Sequence, residues 1–230
     1  MPIVVSRSAV SRANLAITAF LVLANLALHF GMRSDDSVRR RLRSLRFFNL
    51  DAECCVGSWY STILLFGAGV VHMFMARDAC AHARGFARHW LALGFIFMGL
   101  SLDEAAGLHE RMTQVVRETI GREKARLYYG WVLPGFVQVL ALGCAYAKFL
   151  MHLSRRTAIK IACAGALFVG GAIGFEIPAG ALAMRDGVGS LRMVAFTSIE
   201  ETLEMLGTIL FIDALPEQAT RRRAIFRLEV

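Results

Sequence analysis

Long apolar runs return at intervals along this chain, separated by short polar connections. The first covers residues 13–32, behind Arg7 and Arg12, and the others cover 59–76, 89–108, 130–153, 158–184 and 194–215. About 20 predominantly apolar residues wind into a helix long enough to cross the hydrocarbon core of a bilayer. The pattern therefore predicts an all-α, polytopic bundle of about six transmembrane helices. Trp59, Trp90 and Trp131 stand at run starts, where interfacial anchors belong. Two connections are longer. Residues 33–58 carry Arg39, Arg40, Arg41 and Arg43 and are expected to form an amphipathic surface helix. Residues 109–129 carry charges of both signs and are expected to extend the third helix beyond the bilayer. No repeat, low-complexity tract or composition shift divides the chain, so residues 1–230 read as a single transmembrane domain.

Composition supports the same solvent. Of the 230 residues 56% are hydrophobic and 19% charged, with a mean hydropathy of +0.51. Six spans consume about 120 apolar residues, which nearly exhausts the supply and excludes a soluble enzyme, a disordered chain or a secreted disulfide scaffold. The first run also resembles a signal peptide, but no small-x-small cleavage site follows His29-Phe30, and it reads as a retained helix. The net charge of +8 changes little. Most Lys and Arg residues lie between apolar runs, where they meet lipid head groups, and no nucleic-acid-binding pattern is present. The expected partner is the lipid bilayer, with a homo-oligomer or a larger membrane complex as a further option. The five cysteines lack metal-type spacing, and Cys144 and Cys163 read as small core residues.

The informative residues are charges inside the runs. An ionisable group at bilayer depth costs roughly 2.5–3.5 kcal/mol even on insertion scales. The third run nevertheless holds Asp103-Glu104, the fifth Glu176, and the sixth Glu200-Glu201-x-x-Glu204. At about 1.5 Å per residue, Asp103 lies roughly 21 Å from His89, Glu176 roughly 26 Å from Ile159, and Glu201 roughly 10 Å from Val194. All fall in the same half of the membrane, together with His29 and His109-Glu110. Helical phase puts Asp103 near Glu110, and Glu200, Glu201, Glu204 and Thr197 on one stripe. Glu104 and His109 lie off that seam and need a kink at Gly107. Pro178, two residues after Glu176, is expected to kink the fifth helix, and Gly170-x-x-x-Gly174 to admit a close neighbour.

One explanation is internal ion pairing with Arg111, Arg185 and Arg192. Three arginines cannot balance at least five acids, so the remainder must be protonated or bind a cation. A metal site would use Asp103, His109, Glu110, Glu176, Glu201 and Glu204, with Glu104, Glu200, His29, Thr197, Arg111 and Arg192 around them. Carboxylates with imidazole suit iron, manganese, zinc or calcium, although the Glu-x-x-His spacing of di-metal bundles is missing. Such a site would fit a membrane-embedded, metal-dependent enzyme acting on a lipid-soluble substrate. The same acids would serve a proton- or cation-coupled transporter. His72, His89 and His152, towards the other half, leave open haem b with bis-imidazole ligation, or an accessory subunit of a membrane complex. Neither a Gly-x-Ser-x-Gly nucleophile motif nor a phosphate-binding glycine loop occurs.

Leu102-Asp103-Glu104-x-x-x-Leu108-His109-Glu110 and Glu200-Glu201-x-Leu203-Glu204-x-Leu206-Gly207 resemble motifs of uncharacterised bacterial integral membrane proteins. The resemblance covers residues 95–215. It implies a bacterial inner (plasma) membrane location and carries no activity. Under six spans, Lys and Arg divide evenly between the two sides. The Arg221-Arg222-Arg223 cluster and the short basic loops place both termini in the cytoplasm. Reporter fusions after Leu215 and within residues 109–129 are expected to report opposite sides of the membrane. Fusions on the same side would contradict the span count.

Overall fold

The computed structural model describes residues 7–52, 54–83, 85–120, 130–187 and 189–215. Every regular element among them is helical. In order they are α1 (Arg7–Gly31), α2 (Asp36–Leu42), a 3-10 turn (Arg43–Phe48), α3 (Val56–Ala81), α4 (Ala87–Ala106), α5 (Leu108–Ile120), α6 (Val132–His152), α7 (Arg155–Val169), a π-helical segment (Gly170–Phe175), α8 (Glu176–Asp186) and α9 (Leu191–Asp213). Four stretches are long and apolar enough to cross a membrane: Ser8–Gly31, Val56–Ala81, Val132–His152 and the continuous Arg155–Asp186. Helices α4 and α9 have comparable lengths, 20 and 23 residues, but their acidic side chains keep them out of that set.

Helix α9 runs through the bundle and packs on α1, α3, α7 and α8, while α3 and α4 form the most extensive pair. On the α1 side, Leu21, Tyr60, Leu64, Met205 and Ile209 close one cluster. At the other end Met75, Trp90, Phe149 and Ile161 form a second. In lipid the solvent is as apolar as a leucine side chain, so helices associate through close packing and polar contacts rather than escape from water. Both devices are visible. A Cβ on Gly207 would sit 2.7 Å from the Phe168 nitrogen and 2.8 Å from the Ala164 carbonyl oxygen. A Cβ on Gly171 would sit 2.7 Å from the Glu200 carbonyl oxygen. These glycines bring α7 and the π segment against the backbone of α9. Gly170 and Gly174, the expected contact pair, would meet nothing within 4 Å. The π turn has shifted the contact face by one residue.

Polar contacts fasten α1. The buried Asn25 donates to Ser198 Oγ at 2.9 Å and accepts from the Leu50 N–H at 3.0 Å. One side chain thus ties α1 to α9 and to the loop before α3. At the opposite end Lys160 Nζ pairs with Asp213 at 2.7 Å. The Asn25 contacts hold α1 against α9, and the Lys160–Asp213 pair holds α7 to α9.

Several local expectations change. Trp59 is 65% exposed, as an anchor would be, but Trp90 is only 4% exposed. It packs edge-on against Phe149, with ring centroids 4.9 Å apart, because the α3–α6 gap needs a large ring there. Cys144 and Cys163 are exposed rather than core residues, since they fall on the outward faces of α6 and α7. The arginine-rich segment 36–48 does form a short surface helix and turn with no buried residue. The fifth run is interrupted by π-helical turns at residues 170–175, just before Glu176. Pro178 has no N–H to return to the Gly174 carbonyl, and a widened turn absorbs that missing bond.

Helix α6 stands apart. It touches α7 and the π segment lightly, and meets α4 near one end, where Tyr146 donates to the His89 carbonyl at 2.9 Å. The gap behind it is the cavity described below. Overpacking a tight helix contact costs about 1–3 kcal/mol. Gly207→Val is therefore expected to lower the melting temperature in detergent, whereas Gly67→Val, with nothing within 4 Å of its Cβ, is expected to leave it unchanged.

Candidate functional site

A cavity of about 510 Å³ lies between α4, α6, the α7–α8 stretch and α9. Asp103, Glu104, Glu176, Glu200, Glu201 and Glu204 all line it, joined by His109. Three separate helices, α4, α8 and α9, therefore deliver the acids that shared depth had suggested would meet, and α5 adds the imidazole. The rest of the wall is apolar, with Leu142, Leu150, Phe168 and Phe211 among its members. Among the described residues no Lys or Arg lines it.

The geometry of the acidic end follows from two breaks in helical regularity. Gly107 adopts φ +58 and ends α4 in the left-handed region, so α5 starts in a new direction. Glycine carries no Cβ penalty there. This bend turns Asp103 into the cap of α5. Its Oδ1 accepts the His109 N–H at 2.8 Å, and its Oδ2 lies 3.2 Å from His109 Nδ1. The expected Asp103–Glu110 seam assumed an unbroken helix, and the chain bends between the two residues at Gly107. The side chain of Glu110 lies outside the described residues. The second break is the π segment, which sets Glu176 at the start of α8, only 7% exposed. Glu176 accepts from the Trp131 indole Nε1–H at 2.9 Å and lines the cavity together with Glu200.

Glu201 and Glu204 differ from their neighbours. Among the described residues no hydrogen bond or ion pair reaches either carboxyl group. Both face the cavity.

The remaining candidates lie outside the cluster. His29 Nε2 is 2.8 Å from Asn49 Oδ1. Thr197 donates to Asp51 Oδ1 at 3.4 Å. Arg185 and Arg192 both lie beside Asp186, at 3.6 and 3.7 Å, and Arg111 lines no part of the cavity. The arginines considered as counter-ions are thus engaged or placed elsewhere. Among the described residues, no three His, Cys, Asp or Glu side chains converge closely enough to hold a metal ion as they stand. The other histidines are set in aromatic surroundings. His72 Nδ1 lies 2.7 Å from the Ala68 carbonyl, its Nε2 has no hydrogen-bond partner among the described residues, and its ring packs on those of Phe97 and Trp90. His89 and His152 both pack on Phe86.

Three contributors were not picked out in sequence. Asp51 approaches from the loop before α3, Gln138 and Tyr146 from α6. The polar Asn25 in an otherwise apolar run was a signal for the docked loop. Nothing local marks Gln138 or Tyr146.

His109 lies beyond the span and titrates unusually. Burial disfavours its charge, but the hydrogen bond and charge of Asp103, aided by Glu176 and Glu104, prevail and push it up from 6.5 to about 9. Stabilisation from the His109–Asp103 pair is thus complete below pH 6.5 and lost as pH rises through about 9. Melting temperature measured from pH 6 upward is expected to fall more steeply through about pH 9 in the wild type than in His109→Gln. Parallel profiles would show that the pair contributes nothing.

A family described as a domain of unknown function (DUF8692) matches residues 14–216. The chain belongs to that family. No curated protein matches the chain, and no solved structure does either.

Proposed function

We propose that this DUF8692 member is a six-span inner-membrane protein whose intramembrane carboxylate cluster binds a cation. Two features support six spans. Helices α4 and α9 are as long as their neighbours, and each packs along helices that are themselves long and apolar enough to cross. With an even number of spans both termini share one side, the cytoplasm by the positive-inside rule.

The observation that carries the cation reading is an imbalance. Among the described residues, six carboxyl groups line one cavity with a single imidazole and no Lys or Arg. Acids at bilayer depth are retained where they face an interior pathway or ligand, and need a partner there. Protons on some of them and a bound cation among the rest provide it. A divalent metal is one such cation. Asp103, Glu176, Glu201 and Glu204 would supply oxygen ligands and His109 a nitrogen, after a movement that draws at least three donors together. A metal so held would polarise a substrate oxygen or a bound water.

The test is cation content. Detergent-purified protein, dialysed against manganese and analysed for metal, is expected to retain about one equivalent per chain. Asp103→Asn and Glu201→Gln are expected to lose it while keeping wild-type helicity by circular dichroism. A wild type that retains no cation, and moves none in proteoliposomes, would leave the cluster a structural proton-sharing network. Flux without retention would make the protein a cation-coupled transporter.

A further inference from the structure

The cluster occupies only one end of its cavity, and the other end has a chemistry of its own. From Glu104 back to Leu93 on α4, and from Glu200 on to Phe211 on α9, the wall extends about 16 Å. That is roughly the depth of one leaflet of a hydrocarbon core about 30 Å thick. Beyond the acids the wall consists mainly of Leu, Ile, Val, Ala, Gly and Phe, with the amide of Gln138 among them, and ends at Tyr146 and Leu150. The cavity is open along the flank where α6 stands away from α4. Gln138 and Gly143 of α6 and Ala162 and Ala166 of α7 are wall residues exposed to the surroundings of the protein. In a bilayer those surroundings are lipid chains.

We infer that this cavity is a binding site for a single-chain amphiphile with a primary ammonium head. The chain lies along α6 and the head stands among Glu176, Glu201 and Glu204. The inference rests on the cation-binding reading and names the cation. Three observations select the head group. Among the described residues the wall carries Asp103, Glu176, Glu200, Glu201 and Glu204 and no Lys or Arg, which disfavours the phosphate and carboxylate heads of anionic phospholipids and fatty acids. Glu201 and Glu204 have no partner among the described residues, and an ammonium group brings three N–H donors to satisfy several acceptors together. The acids are spread over α4, α8 and α9 without closing on a point, which suits a head group that forms several hydrogen bonds better than a small ion requiring short contacts on all sides.

Volume selects the tail. The cavity lies within the range of about 300–1,000 Å³ usual for small-molecule sites, and its 510 Å³ must hold head and chain together. One chain fits this space, whereas the two chains of a glycerophospholipid do not. Between bilayer and cavity the chain exchanges one apolar surrounding for another. Selectivity from the membrane therefore resides in the head, and the chain serves to bring the head to the right depth.

The experiment uses the full-length protein in uncharged nanodiscs, with hexadecylamine, hexadecanol, hexadecanoic acid and manganese as probes. Saturable binding of one hexadecylamine per chain by native mass spectrometry is expected, with hexadecanol and hexadecanoic acid at least tenfold weaker. Glu201→Gln and Glu204→Gln are each expected to weaken hexadecylamine at least tenfold. Gly143 faces open space, with nothing within 4 Å of a Cβ, so Gly143→Phe should obstruct the chain, and Gly143→Leu is the milder variant should that one fail to insert. Either is expected to abolish hexadecylamine binding and spare manganese. If manganese binds but hexadecylamine does not, or binds no better than hexadecanol and regardless of Gly143, the inference falls and the cation site stands. If neither probe binds, both fall.

Discussion

A carboxyl group that has left water must be neutralised where it stands, because lipid offers neither hydration nor screening. The bundle around Glu176, Glu200, Glu201 and Glu204 is arranged to meet that demand. Glu176 receives the Trp131 indole N–H and stands beside Glu200 in the cavity wall. Asp103 receives the His109 backbone N–H and faces its ring. Glu201 and Glu204 are left facing the cavity, which is why the cavity and the cluster are read as one site.

Two irregularities make this possible, and both are backbone events. The left-handed Gly107 turns α5 so that its first N–H groups fall on Asp103 rather than continuing the ladder of α4. The π segment before Pro178 widens the helix, so that Gly171 presses on the α9 backbone at Glu200 while Glu176 turns inward. A straight pair of helices would carry the same side chains without bringing them onto the same space. Interrupted helices are tolerated at membrane depth where they line a cavity, and here the interruption and the cavity coincide.

Helix α6 has the opposite character. It has few neighbours and presents Leu133, Phe136, Val137 and Leu140 outward. In water such a helix would be driven onto the bundle by its apolar surface. In lipid that drive is absent, so a helix can stand off and leave a side opening at little cost. A hydrocarbon surrounding would account for the cavity.

The sequence by itself determined the all-helical class, the position of the long apolar helices, and the three distant runs whose acids line one cavity. Those properties follow from length, apolar periodicity and the fixed rise of a helix, all of which are local. It also marked Gly107 and Pro178 as places where the helices would depart from regularity. Tertiary structure alone decided how they depart: a left-handed turn that makes Asp103 a cap, and a π segment that moves the glycine contact from Gly170 and Gly174 to Gly171. It also decided that Trp90 is core, that Arg185 and Arg192 go to Asp186, and that α6 leaves a space beside the acids. Each depends on how one helix is rotated and spaced against another. In a bilayer that rotation is set by a few glycine contacts and polar pairs between residues far apart in the chain, which no local pattern encodes.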